Sequence, residues 1–194
     1  MDFFRKSSAV EGAVEDSSMN IGTIKTNIKT KLVRSIKDLQ IEFGEGNPEK
    51  PIETNEHTYS LITSIESIFI HGLKGQRTSR LTSSRLPDPN FWTFVLVFSH
   101  KDTIHQIEKL RAITTDVGKG RAWIRLALNE GLLVSYLRSM IADQTTLRRH
   151  YQRHALMRDA DTMDVFIRYI HAYITIHFTL LKYFTPNKPF YMFY

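Results

Sequence analysis

Apolar positions recur along most of this chain at three- and four-residue steps, the spacing of one face of an α-helix. Ile21, Ile24, Ile28, Leu32, Leu39 and Phe43 open the series with lysines between them, and Gly44-Glu45-Gly46-Asn47-Pro48 stops it. Ahead of this amphipathic helix, residues 1–20 are polar, serine-rich and mixed in charge, and read as a flexible arm. A second helix is expected over about residues 55–73, with Leu61, Ile62, Ile65, Ile68, Phe69 and Leu73 on one face. Residues 74–86 read as a loop holding Lys74, Arg77, Arg80 and Arg85 and no acid. Asp88-Pro89 resembles a cap and first helical position ahead of Phe91, Trp92, Val95 and Phe98. Residues 102–110 make another short helix, with Ile104, Ile107 and Leu110 inward.

Thr115-Asp116 can cap the helix that follows, Gly118-Lys119-Gly120-Arg121-Ala122-Trp123-Ile124-Arg125-Leu126-Ala127-Leu128-Asn129. Gly131 is not a firm stop, because Leu133, Tyr136, Leu137 and Ile141 continue the apolar pattern beyond it. Thr145 or Thr146 begins a basic segment, Leu147-Arg148-Arg149-His150-Tyr151. Asp159 or Asp161 caps a last long helix carrying Met163, Phe166, Ile167, Ile170, Tyr173, Ile174 and Phe178. With no period-2 alternation, repeat or heptad run, the expected fold is all-α, a compact bundle of about seven or eight helices.

The run from Gly118 departs most from what a helix alone would favour. Two flexible glycines and two cations stand where the positive end of the macrodipole prefers acids. Ala122, Trp123, Leu126 and Ala127 share one side of the wheel, and Ile124 and Leu128 lie on another. Arg121, Arg125 and Asn129 form a strip between them at i, i+4 and i+8. A helix apolar on two sides sits inside a bundle, which places the basic strip beside packed core.

Composition narrows the function. The 194 residues are enough for one domain with a real core, and 42% hydrophobic with 24% charged residues is an ordinary globular balance. The absence of cysteine excludes disulfides, thiolate metal ligation and thiol catalysis, and suits a reducing compartment. A net charge of +6 favours an acidic partner: a protein, a phosphoinositide surface or nucleic acid. Residues 1–20 lack the apolar core of a signal peptide, and Arg168, His171 and His177 interrupt the longest apolar stretch, 165–181. A cytoplasmic protein that meets membranes through a partner is expected.

Several blocks, in order, resemble a RUN domain: Phe69-Ile70-His71-Gly72-Leu73, Phe91-Trp92, the stretch from Thr115 to Asn129, Tyr151, and Ala155-Leu156-Met157-Arg158-Asp159. The likeness is greatest to the RUN domain that opens the pleckstrin-homology-domain-containing family M adaptors. It covers roughly residues 28–181. That implies a compact helical bundle without enzymatic activity or cofactor, an effector module for a GTP-bound small GTPase. The Arf-like GTPase of lysosomes is the implied partner, with a Rab or Rap GTPase as the alternative. Peripheral recruitment to late endosomes or lysosomes follows, with tethering or kinesin machinery reached through the full-length protein.

Carried over by position, the family's contacting cations fall on His71, Lys119 and Arg121, and Arg125 extends the same strip. Lys119 stands where the relatives usually have arginine; the charge is kept and the bidentate fork lost, so weaker binding is expected. Replacing Lys119 and Arg121 by alanine is expected to abolish binding and leave melting unchanged. The implied division is an arm at 1–20, the RUN domain at 21–181, and a tail at 182–194 that departs from the family.

Blander roles stand beside these. Lys119 and Arg121 could be a solvated helix start, His71 a helix cap or satisfied core residue, and Arg125 an internal salt-bridge partner. Trp123 reads as core. Arg148, Arg149, His150, Arg153, His154 and Arg158 could serve a basic nucleic-acid-binding helical protein, the alternative of another class, but only Tyr151 is interleaved for stacking. His150 with His154, and His171 with His177, lack the glutamate of a zinc-protease helix, so no metal site is expected. No phosphate loop or nucleophile elbow is present.

Overall fold

The computed structural model describes the backbone of residues 5–45, 56–75 and 90–184, and the side chains of residues 20–42, 56–75 and 90–175. Among the described residues the structure is all-α: eight α-helices, one 3-10 turn and a single isolated antiparallel bridge. In chain order these are α1 (Arg5–Glu45), α2 (Glu56–Ile70), α3 (Trp92–Val95), α4 (Lys101–Glu108), α5 (Asp116–Asn129), α6 (Leu133–Ala142), α7 (Gln144–His150), the 3-10 turn (Leu156–Arg158) and α8 (Ala160–Phe184).

The first helix begins at Arg5, within the segment whose polarity suggests an arm. Among its described side chains Leu32, Ile36 and Leu39 are buried, whereas Ile24 stays exposed. Beside the buried positions α1 packs on α2 through serines: the Ser35 hydroxyl lies 3.0 Å from that of Ser60 and 3.1 Å from that of Ser64. Small side chains that satisfy one another let the two helices approach closely.

α2 is the central element. One end carries Leu61, Ile62 and Ile65 into the core, and α5 packs along it. α8 lies against α1 and α6. The aromatic heart is built from α2, the α3 segment and α5. The Phe69 and Phe91 rings stack at 4.7 Å, and Trp123 meets Phe69 edge-on at 5.8 Å. Trp123 is fully buried, as expected, and its indole N–H donates to the Ser99 hydroxyl at 2.7 Å.

Caps explain most boundaries. The Thr115 hydroxyl accepts from the Gly118 N–H and opens α5 as expected. Asp143, rather than either threonine, opens α7: its carboxylate accepts from the Thr146 N–H and hydroxyl, and these bonds, the hydroxyl's first, hold its pKa below the usual carboxylate range. Asp159 caps α8, accepting from the Thr162 N–H. α4 starts one residue before Asp102, behind His100. The Asp88-Pro89 cap lies outside the described residues.

Gly131 does end α5, contrary to the expectation from the continuing apolar pattern. Its φ of +68° carries a paired turn in which the Gly131 N–H bonds to the Leu128 carbonyl and the Leu132 N–H to that of Ala127. The glycines of α5 are helical rather than flexible. A Cβ on Gly120 would lie 3.0 Å from the Phe91 ring, so the missing side chain lets that ring press against the helix.

Candidate functional site

The strip read from the sequence lies where α5 meets α2, and each cation has a different environment. Arg121 points at α2, where its Nε donates to both carboxylate oxygens of Glu66, at 2.9 and 3.1 Å. The Glu66 side chain is 7% exposed and that of Arg121 39%. A guanidinium carries five N–H donors. Only the Nε donor meets Glu66, so the four Nη donors are left to the partly exposed end. This ion pair is the missing reason for a cation near the start of α5: it neutralises the one acid on the buried face of α2. Sequence reasoning overlooked Glu66. The signal was present, a lone carboxylate among Ile65, Ile68 and Phe69, yet nothing in the sequence said which cation would meet it.

Lys119 is half-buried and, among the described residues, makes no salt bridge. Two positions from Arg121, it projects from a different side of α5.

Arg125 is one turn further along. Its Nε is buried with no hydrogen-bond partner among the described residues. It lines a small cleft with Leu61, Ile62, Leu128, Tyr173 and Ile174, where α2, α5 and α8 meet. No carboxylate lines that cleft, so the internal salt bridge considered for Arg125 is not formed there.

His71 follows the last residue of α2. Its Nδ1 accepts the Leu156 N–H at 3.1 Å, and its ring meets that of His154 edge-on at 5.8 Å. Burial, then the neighbouring His154 and Lys25, lowers its pKa below the ordinary histidine value. A neutral imidazole is what the accepting Nδ1 requires. His71 thus has a structural duty at the seam between α2 and the 3-10 turn, beside any role toward a partner.

The same seam holds Asp159. Burial alone would raise its pKa, but the Lys25 ammonium at 2.7 Å and hydrogen bonds from Thr162 outweigh this and lower it. α7 ends at His150, so His154 is off that helix and the two do not share one helix face; the His177 side chain lies outside the described residues. Among the described residues no group of three or more histidine or carboxylate side chains is placed to hold a metal, and no helix is long and apolar enough to cross a membrane.

The order of these elements and the residues they carry agree with one family. Residues 60–183, from α2 through α8, match the model of the RUN domain. The chain belongs to the RUN domain family. Glu66, His71, Lys119, Arg121 and Arg125 all fall inside the matched span. This RUN chain is similar to pleckstrin homology domain-containing family M member 2 of Mus musculus, 30% identical over 159 residues. That alignment covers 81% of this chain and 14% of the relative. The protein of the same name from Homo sapiens is 30% identical over 164 residues, covering 84% of this chain and 15% of the relative. The chain therefore spans only a small part of the curated relatives it matches.

Proposed function

We propose that this RUN domain is a non-catalytic effector module that binds a small GTPase in its GTP-loaded form, an Arf-like GTPase in particular. Through it a longer adaptor would reach late endosomes or lysosomes and the tethering or kinesin machinery that moves them. Family membership and the likeness to the family M proteins support an effector role. The observation that carries the site is the Glu66–Arg121 pair. Nε is fixed by a buried carboxylate, which orients the outer face of the guanidinium toward a partner carboxylate without further loss of side-chain freedom.

Lys119, without a salt bridge among the described residues, adds a second charge from the same two turns of helix. Acidic residues of the GTPase switch regions are the complementary surface, and they are held in place only while the γ-phosphate is bound. Such rim charges set encounter rate and register, while desolvated contacts supply most of the affinity.

The test is calorimetry of the chain against Arf-like, Rab and Rap GTPases, each loaded with GDP or a non-hydrolysable GTP analogue. Binding to the GTP form of an Arf-like GTPase is expected. Equal affinity for both nucleotide states, or binding to none of the panel, would sink the proposal. Within the site, Lys119→Ala with Arg121→Ala should abolish binding, and Lys119→Arg should tighten it several-fold by restoring a fork.

A further inference from the structure

Two stretches of the chain contain no acid: residues 71–87, which open on His71 and Lys74, and residues 144–158. Together they hold eight of the 26 lysines and arginines and none of the 20 acids. The other 18 basic residues are outnumbered by those acids, so the positive charge of the molecule resides in these two stretches. The fold brings residues 71–75, the described part of the first stretch, against the second. Leu73 and Tyr151 pair as an antiparallel bridge, the Lys74 N–H donates to the His150 carbonyl at 2.8 Å, and the Gln152 N–H donates to that of Gly72 at 2.7 Å. The Lys74 ammonium then reaches the Arg148 carbonyl at 2.6 Å.

The outcome is a basic pole on which Lys74, Arg148, Arg149 and Arg153 are all exposed. Among the described residues none of the four makes a salt bridge. The nearby carboxylates are engaged elsewhere: Asp159 with Lys25, Glu66 with Arg121, and Asp143 with Thr146 at the far end of α7, where Arg149 perturbs it least of its neighbours. Part of this charge suits the C-terminal end of the α7 dipole. One or two cations would suffice for that.

What the pole lacks identifies its partner. A protein interface needs apolar anchors that can be desolvated. Among the described residues the exposed large hydrophobics, Ile24, Ile41, Tyr59, Val97, Leu132 and Tyr169, all lie outside both stretches. Single-stranded nucleic acid needs an aromatic to stack on. The only aromatic interleaved with the cations of residues 144–158 is Tyr151, which is fully buried with its hydroxyl bonded to the Phe69 carbonyl. Exposed cations with no apolar anchor or stacking ring beside them among the described residues match a diffuse anionic plane. We propose that this pole binds the surface of a bilayer rich in anionic lipid, a direct contact added to recruitment through a GTPase and independent of it. Each cation near such a surface adds attraction that falls off within a Debye length.

The test is flotation of the full chain with vesicles of phosphatidylcholine alone or mixed with phosphatidylserine, at low and high salt. Binding to the phosphatidylserine vesicles alone, lost at high salt, is expected. Arg148→Ala, Arg149→Ala and Arg153→Ala combined should weaken it by roughly a hundredfold, about fivefold per cation. The corresponding triple lysine variant keeps the charge and should bind as the parent does, which also controls for folding. Binding of a soluble GTP-loaded GTPase should be unchanged in both variants, so failure here is separable from failure of the effector reading. Undiminished vesicle binding by the triple alanine variant would overturn the proposal. So would loss of binding in the folded triple lysine variant, which would indicate stereospecific recognition of a carboxylate or phosphate, or tighter binding to single-stranded RNA than to the vesicles.

Discussion

Arg121 has two duties, and its substitution therefore has two consequences. Replacing it by alanine removes a cation from the edge and strands the Glu66 carboxylate in the interior. Breaking a fully buried pair costs about 3–5 kcal/mol. Because Arg121 is partly exposed and solvent screens the pair, the expected loss is nearer 1–2 kcal/mol. The alanine pair at Lys119 and Arg121 is therefore not thermally silent, contrary to the expectation from sequence. Chemical denaturation should place the deficit in Arg121→Ala and not in Lys119→Ala, and adding Glu66→Gln should recover part of it. If Glu66→Gln restores stability but not GTPase binding, the two duties are separated.

His71 gives a pH signature at the same scale. Its folded-state pKa lies below the ordinary value of 6.5, so near that value the unfolded chain binds more protons than the folded one. Stability therefore falls as pH drops below 6.5 and levels off once the folded-state value is passed. Protonation also removes the lone pair that accepts the Leu156 N–H. Melting temperatures across this range should show the decline in the parent and a flatter profile in His71→Gln, whose amide oxygen can accept without titrating. An equal slope in both would place the titration elsewhere.

Among the elements, the helices were largely legible from periodicity and caps, and their ends less so. Apolar spacing alone cannot show the break at Gly131, because α5 and α6 each bury a face and the pattern runs on from one to the other. The positive φ there depends on backbone geometry that a hydrophobicity pattern does not encode. Gly72, after α2, has a φ of +71° and a further constraint: a Cβ would lie 2.6 Å from that of Ala155. Gly131→Ala should cost about 1–2 kcal/mol for the left-handed conformation. Gly72→Ala should cost roughly 1–3 kcal/mol more for the collision. Unfolding curves of the two variants measure the difference, and equal losses would mean that the chain around Ala155 yields freely. The Arg121–Arg125–Asn129 strip could be read from helical spacing, whereas Glu66 could be paired with Arg121 only once α2 and α5 were side by side.

At the scale of the molecule, the segment from His150 to Asp159 acts as a strap. It is short, lacks periodicity and reads from sequence mainly as a run of charge, yet it joins parts of the chain that are far apart. The Tyr151 hydroxyl donates to the Phe69 carbonyl at 2.9 Å, Leu156 bonds to His71, and Asp159 holds Lys25 of α1 while capping α8. Its aromatic anchor is shared with the α3 segment, where Phe94 meets Tyr151 edge-on at 5.0 Å. Burial raises the pKa of the phenol, which holds it in the protonated form that can donate. Tyr151→Phe keeps the ring and removes that donor, leaving a carbonyl at the end of α2 short of a partner, at a cost of about 1–3 kcal/mol. Because the strap ties α2 to the 3-10 turn, the loss should not stay local. Amide hydrogen exchange should speed up at Leu73, Lys74 and Gln152, whose backbone bonds form the seam, as well as at Leu156. Faster exchange confined to residue 151 and its chain neighbours would mean that the segment lies against the bundle without holding its ends together.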